Sequence, residues 1–342
     1  MPGENRRHEL IHRDGQEETF ITTHLVDDSH DGWRVDVFLK TKLKRKSRNF
    51  IQTAIDDGRI LLNPRSLGQT PRLKPSTTLQ IGDEVQVITD KRHPEPAVDF
   101  GYQVLFEDDH ILVIDKPGNL PVHPAGRFFF NTLLSRLRTD RKESYEQGDD
   151  FYLVHRIDRE TSGVLLIGKS SATAGNLVAQ FRKHQVQKKY LALCYGVIEQ
   201  DEFVVDKSMS NDPVSSVRLK MAVCSDGEGL TAYTAFRVLE RSRRFTLVEA
   251  MPRTGRQHQI RVHLASCGHP VVGDKLYAGI DGVFLSYLNH AMVTPEMSEA
   301  LILKRHGLHA CELSFFHPHD GTPVTVKSPL PEEIAQLLRE DR

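Results

Sequence analysis

From about residue 99 to 330 the chain is dominated by short apolar runs with strand character, among them ILVIDK, GVLLIGKS, YLALCYGV, TAYTAFRVLE and FTLVEAMP. Helical periodicity is rarer. Ala174, Leu177, Val178 and Phe181 fall on one helix face, with Ser170 or Ser171 as its start. A second helix is expected around 295–305, where Pro295 takes a first-turn position after Thr294. Strands that outnumber helices and do not alternate with them argue against a doubly wound parallel sheet. The expected class is α+β with a mixed, mostly antiparallel sheet. Among 342 residues, 39% are apolar, enough for a real core without metals or cross-links.

The first third reads differently. Residues 1–31 are polar, mixed in charge and without sustained periodicity, and are expected to be a flexible arm. Residues 32–91 read as a small α/β unit. Val35, Phe38, Leu39 and Leu43 have helical spacing. Ser47 is placed to cap a second helix whose apolar stripe is Phe50, Ile51, Ala54 and Ile55, closed by Gly58. RILLN, TLQI and EVQVITD follow as strand-like pieces, with Gly82-Asp83 as a turn. Prolines in KRHPEPAVDF mark a linker over 92–98, residues 99–330 form the large domain, and 331–342 a tail.

Four scattered cysteines, Cys194, Cys224, Cys267 and Cys311, have no paired spacing and are expected to be free thiols in a reducing compartment. The first thirty residues hold no signal-peptide pattern, and no stretch nears the roughly 20 apolar residues of a membrane span. A soluble, cytoplasmic protein is expected.

A formal net charge of −1 rules out a uniformly basic nucleic-acid binder, so any such contact must be local. Between Arg34 and Arg48 lie seven basic residues and one acid, Asp36. On a helix–turn–helix edge they would form a stripe that tracks a phosphate backbone. Taken alone, a solvated helix face is the commoner meaning. The order of parts shifts the balance. R-x-D-x-F-L, then S-R, then I-x-x-G-R-I and G-D-x-V resembles the small RNA-binding domain first seen in ribosomal protein S-four. That resemblance implies RNA contacts from Arg34, Lys40, Lys44, Arg45, Lys46 and Arg48. Leu62-Asn63-Pro64-Arg65 stands where that domain usually has Val-Asn-Gly.

The most informative stretch is His155-Arg156-Ile157-Asp158-Arg159-Glu160-Thr161-Ser162-Gly163, set between strand-like FYLV and GVLLIGKS. A carboxylate in such a loop, flanked by two arginines, is held in its charged form, which suits a nucleophile at neutral pH. A salt-bridge knot at a strand end explains the spacing equally well. Here the chain resembles the RluA/RluD-type pseudouridine synthases, whose signature H-R-L-D-x-x-T-S-G is matched with Ile157 for leucine. EDDHILVIDKPGNLPVHP, Gln187-Lys188-Lys189-Tyr190 with LALCYG, RTGRQHQIRVH (253–263), Gly273-Asp274-Lys275-Leu276-Tyr277 and Leu308-His309-Ala310 match the family's further motifs in order. Gly118-Asn119 departs from the usual small residue followed by glycine.

The resemblance implies an isomerase of uridines in structured RNA, needing no cofactor. It implies Asp158 as nucleophile, Arg156 levering the target nucleotide from its stack, Tyr190 stacking on the uracil, and Arg261 pairing with Asp158. His155, Thr161, Arg256 and His258 would support them. Lys116 is read as structural or RNA-facing. Arg261 sits in an apolar–polar alternation, Ile260-Arg261-Val262-His263, that reads as a strand. His258, His263, Cys267 and His269 fit no standard zinc spacing, so no metal is expected. The appended domain points to large-subunit ribosomal RNA as substrate; a monomer is expected. The alternatives are transfer RNA as substrate, or a non-catalytic RNA-binding or ribosome-assembly protein. A glycosidase lacks a partner carboxylate beside Asp158.

Overall fold

The computed structural model describes residues 6–13, 17–43, 47–63, 73–90, 95–124, 128, 130–141, 151–225, 227–278 and 301–342, with backbone alone for 6–20, 89 and 90. It divides into two units, Met1–Pro94 and Glu95–Arg342. Lys44, Arg45 and Lys46 lie outside the described residues, as does most of the helix expected at 295–305. The described residues 302–305 of that stretch are not helical.

In the first unit, helices α1 (Val35–Lys42) and α2 (Arg48–Asp56) bury Val35, Phe38, Leu39, Ile51 and Ile55 with Leu79 and Val85. Ser47 caps α2 by accepting from Phe50 N at 3.1 Å, and Gly58 ends it at φ +69°. Strands β1 (Arg6–Arg13), β2 (Glu17–Leu25), β3 (Ile60–Leu62) and β4 (Glu84–Asp90) form an antiparallel sheet ordered β1-β2-β4-β3. The expected arm at 1–31 is therefore corrected. Its segment FITTHL lies in β2, where Ile21, Thr23 and His24 are buried, and β2 pairs with β4 from Thr19↔Asp90 to Leu25↔Glu84. Buried polar residues of this kind are missed by a purely apolar criterion. TLQI is not a strand and makes only a bridge, Thr78 with Arg34.

The second unit is built on one large sheet. Its strands are β5 (Gln103–Glu107), β6 (Ile111–Lys116), β7 (Tyr152–Leu153), β8 (Ser162–Gly168), β9 (Gln187–Tyr195), β10 (Glu202–Asp206), β13 (Tyr233–Arg241), β14 (Phe245–Pro252), β15 (Leu308–Phe316) and β16 (Pro323–Lys327). The order is β10-β13-β14-β9-β15-β8-β6-β5, with β16 on β15 and β7 on β8. A separate ribbon joins β11 (Met209–Asn211) to β12 (Met221–Val223). Among the described pairings only β15 with β8 is parallel, through His309↔Ser162 and Ala310↔Gly163. Gly163 permits that crossing. It sits at φ +108°, and a Cβ there would lie 2.2 Å from Ala310 O.

Helix α3 (Leu133–Asp140) and helix α4 (Ser171–Arg182) pack on this sheet; Ser170 caps α4 by accepting from Thr173 N at 3.2 Å. Two corrections concern the later chain. Residues 259–266 form helix α5 (Gln259–Ser266), not a strand, and the run from Gln259 to Leu264 is buried throughout. The expected tail carries helix α6 (Glu332–Glu340), whose Ile334 and Leu338 are buried with Leu193, Phe245, Leu247 and Val272. Its apolar stripe covers the sheet as a core helix does.

Candidate active site

Asp158 lies in the loop between β7 and β8, which the sheet holds at both ends. Thr161 N closes the loop on Asp158 O at 3.1 Å. Beneath it, Lys116 at the end of β6 is fully buried and donates to Pro117 O, Leu120 O and Arg159 O at 2.7, 3.0 and 3.0 Å. An ammonium with three carbonyl acceptors is satisfied without leaving the interior, so Lys116 is structural and cannot face RNA. The turn it binds contains Asn119 at φ +62°, a left-handed position that asparagine tolerates where the resembling family has glycine. A Cβ on Gly118 would meet Arg305 Cδ at 2.2 Å, so the residue before it must stay small.

The Asp158 carboxylate meets Arg261 Nη1 at 2.7 Å through Oδ2. Arg261 is buried, and its other edge makes a fork with the fully buried Asp274: Nε to Oδ2 at 2.6 Å and Nη2 to Oδ1 at 2.8 Å. Asp274 also accepts from Leu276 N and Tyr277 N at 2.9 and 3.1 Å. One guanidinium thus bridges two carboxylates, and a rigid bidentate pair fixes the orientation with which it reaches the third group. Helix α5 carries Arg261, and the Gly273-Asp274 turn brings its partner. Asp274 lies in the Gly273–Tyr277 motif, and nothing in its local sequence shows that it anchors Arg261.

His258, the left-handed residue before α5, stands with Nε2 4.0 Å from Asp158 Oδ2 and Nδ1 2.9 Å from Tyr277 Oη. Tyr277 Oη also accepts from Met221 N at 3.0 Å. Burial, with the neighbouring Arg261 charge, pushes His258 down to about 4, so it is neutral near pH 7. Burial pushes the Asp158 carboxyl up, but His258, Arg261 and Arg156 more than offset it and leave it below its ordinary value. At neutral pH the cations that matter are Arg261 and Arg156. Arg159, expected to flank the carboxylate electrostatically, instead meets Glu160 at 3.1 Å and covers the Phe128 ring at 5.1 Å.

Asp158, Arg156, Thr161, Tyr190, Arg256 and Arg261 line one cleft. Tyr190 comes from β9, where it pairs with Ala250 and Ala310, two small residues that leave its ring room. Burial pushes its phenol well above the ordinary range, so the hydroxyl stays protonated. Arg156 is exposed and makes no hydrogen bond or ion pair among the described residues.

The remaining expected residues divide. Thr161 Oγ1 lies 2.7 Å from His306 Nε2, and Arg256 Nε donates to Thr231 O at 3.0 Å. Both are braced by the protein at the cleft wall. His155 faces away from Asp158: its Nε2 accepts from Leu166 N at 3.0 Å, and its ring stacks on Phe181 at 4.8 Å. A buried network behind the loop was not foreseen. Lys275 donates to Glu160 Oε2 at 2.9 Å and to Lys304 O at 2.7 Å, and Arg305 joins Glu160 O to Glu333 of α6 at 3.1 and 2.6 Å. Among the described residues no group of three or more His, Cys, Asp or Glu could hold a metal ion. No helix among them is long and apolar enough to cross a membrane.

The family model for RNA pseudouridylate synthase matches residues 110–266. The chain is 34% identical over 332 residues to ribosomal large subunit pseudouridine synthase D of Nitrosomonas europaea, covering 95% of this chain and 89% of that protein. It is 36% identical to the protein of the same name from Xanthomonas campestris, covering 93% and 92%. Ribosomal large subunit pseudouridine synthase C of Vibrio vulnificus is 32% identical, covering 92% and 94%. Among solved structures, human RNA pseudouridylate synthase domain containing 4 superposes with a TM-score of 0.54 at 28% identity, covering 69% of this chain and 92% of that one.

Proposed function

The chain belongs to the RluA/RluD-type family of RNA pseudouridine synthases, and on that premise we propose that it converts uridines of large-subunit ribosomal RNA through Asp158, as a cytoplasmic monomer. The enzyme is an isomerase. Its reaction detaches uracil from the ribose nitrogen linkage, turns it, and rejoins it through carbon 5. Atoms and electrons balance without a co-reactant. The target base is inaccessible while stacked, so it must swing into the cleft. Arg156, at the mouth, fills the space left in the stack. Tyr190 stacks on the uracil, a contact worth roughly 1–3 kcal/mol, comparable with the cost of unstacking. Asp158, ionised and aimed by the Arg261–Asp274 fork, acts on the base or the anomeric carbon. Thr161, Arg256 and His258 hold the cleft wall around it.

Residues 32–91 act as an S-four-like RNA-binding domain. Exposed Lys40 and Arg48 are its described basic contacts; Arg34 is tied to Asp36 at 2.9 Å and contributes less. The observation that carries the proposal is the 2.7 Å contact of Arg261 with a cleft-lining Asp158. The test is to incubate the protein with unmodified large-subunit RNA, and in parallel with unmodified transfer RNA, and map pseudouridine. Product in ribosomal RNA alone is expected. Product only in transfer RNA would overturn the substrate assignment. Tight binding without product would overturn the assigned chemistry.

A further inference from the structure

A second cavity adjoins the cleft and shares its wall through Arg156, Lys188, Tyr190 and the 254–256 turn. Its composition is one-sided. Five lining residues are Arg or Lys, namely Arg156, Arg182, Lys188, Arg253 and Arg256, and none is acidic. Its apolar lining comes from Val154, Val178, Phe181 and Val186. A cationic wall over an apolar floor, without a carboxylate, complements a phosphate-linked base better than a peptide or a sugar.

Two side chains sharpen the fit. His155 uses Nε2 to accept from Leu166 N, so its proton sits on Nδ1. Nδ1 has no hydrogen-bond partner among the described residues, and the ring is held by stacking on Phe181 at 4.8 Å. The cavity therefore offers one fixed donor beside an aromatic face. Lys188 stands at the junction, tethered to Thr254 O at 2.8 Å, with its remaining ammonium protons available.

We propose that this cavity is a second nucleotide subsite, which takes the base of a residue adjoining the target uridine once the strand has opened. The base enters beside the Phe181–His155 stack and accepts from His155 Nδ1 in the plane of the imidazole. Its phosphate is met by Arg182 and Lys188. Substrate choice then includes the identity of a neighbour, because a base that presents no acceptor to His155 leaves that donor unpaired. The proposal rests on the reading of the cleft as the target-uridine pocket.

The test uses the full chain and large-subunit ribosomal RNA transcribed in vitro with 4-thiouridine replacing a fraction of its uridines. Irradiation followed by peptide and nucleotide mapping is expected to join positions flanking a modified uridine to peptides carrying Phe181 or Val178. Pseudouridine mapped in the same samples separates two failures. Product with no cross-link to the cavity overturns the subsite alone; absence of product overturns the cleft reading and the subsite with it. Phe181→Ala, which removes the ring that holds His155, should raise KM about 5-fold or more, the loss of one hydrogen bond to the base, with kcat near wild type. Arg182→Glu, at an exposed position, should raise KM in the same sense even if Phe181→Ala fails to fold. Unchanged KM in folded Phe181→Ala or in Arg182→Glu also overturns the subsite.

Discussion

Arg261 holds two carboxylates that differ in burial, and the difference predicts two distinct phenotypes. The Asp274 side chain is 0% exposed and makes both bonds of the fork, whereas Asp158 is 22% exposed and makes one. Asp274→Asn keeps the shape but removes the charge from a buried pair, leaving the guanidinium under-compensated. Breaking such a pair costs about 3–5 kcal/mol. For a unit of this size each kcal/mol moves Tm by roughly 2–4 °C, so the variant should melt about 6–20 °C lower. Asp158→Asn leaves the fork intact and loses a contact partly open to water, a change of about 0–1 kcal/mol. It should melt within about 4 °C of wild type. Thermal denaturation of the three proteins in one buffer decides the matter. Asp274→Asn melting with the wild type, or Asp158→Asn melting as low as Asp274→Asn, would refute the assignment of Asp274 as the anchor of the site.

Burial pulls Lys188 down to about 8, from an ordinary 10.5. Its charge therefore costs stability in full below about 8, and the cost fades as pH rises toward 10.5. The charge available to RNA fades over the lower part of that range, so KM should climb as pH passes about 8, and a Lys188→Met variant should lose that step; identical pH profiles would exclude Lys188 from RNA contact. Gly163→Ala should destabilise by more than about 3 kcal/mol, measured by urea titration, because the new Cβ meets Ala310 O at 2.2 Å at a strained φ. Ile334→Ala should cost about 2–5 kcal/mol, since Ile334 is fully buried under the sheet; a silent variant would return 331–342 to the status of a tail. Deleting residues 1–94 should weaken RNA affinity at physiological salt far more than it lowers kcat, and unchanged affinity would remove the first unit from RNA recognition.

Much of the second unit was legible because its strands are long apolar runs: ILVIDK, GVLLIGKS and FTLVEAMP each became a strand with little boundary error. Misreadings fell where polar residues occupy interior positions. FITTHL pairs through threonines, and IRVH buries Arg261 and His263 in a helix because each finds a partner there, Asp274 for one and Thr234 Oγ1 at 2.9 Å for the other. Period-two alternation over four residues cannot distinguish that from a strand. The contact of Asp158 with Arg261 followed from family motifs, not from spacing, since 103 residues separate them. Asp274, Tyr277 and the Glu160–Lys275 pair depend on tertiary contacts that no local pattern encodes. His155 shows the converse: proximity in sequence to Asp158 suggested support for it, yet its ring turns to Phe181 and the neighbouring cavity.

The most direct trial of the catalytic assignment compares pseudouridine formed in unmodified large-subunit RNA by the wild type and by Asp158→Asn, with RNA binding measured alongside. A carboxamide of the same size still packs against Arg261 but cannot serve as an anionic nucleophile. Product from the wild type, none from the variant, and comparable RNA affinity is the predicted outcome. Equal product from both proteins would mean that the chemistry resides in some other group.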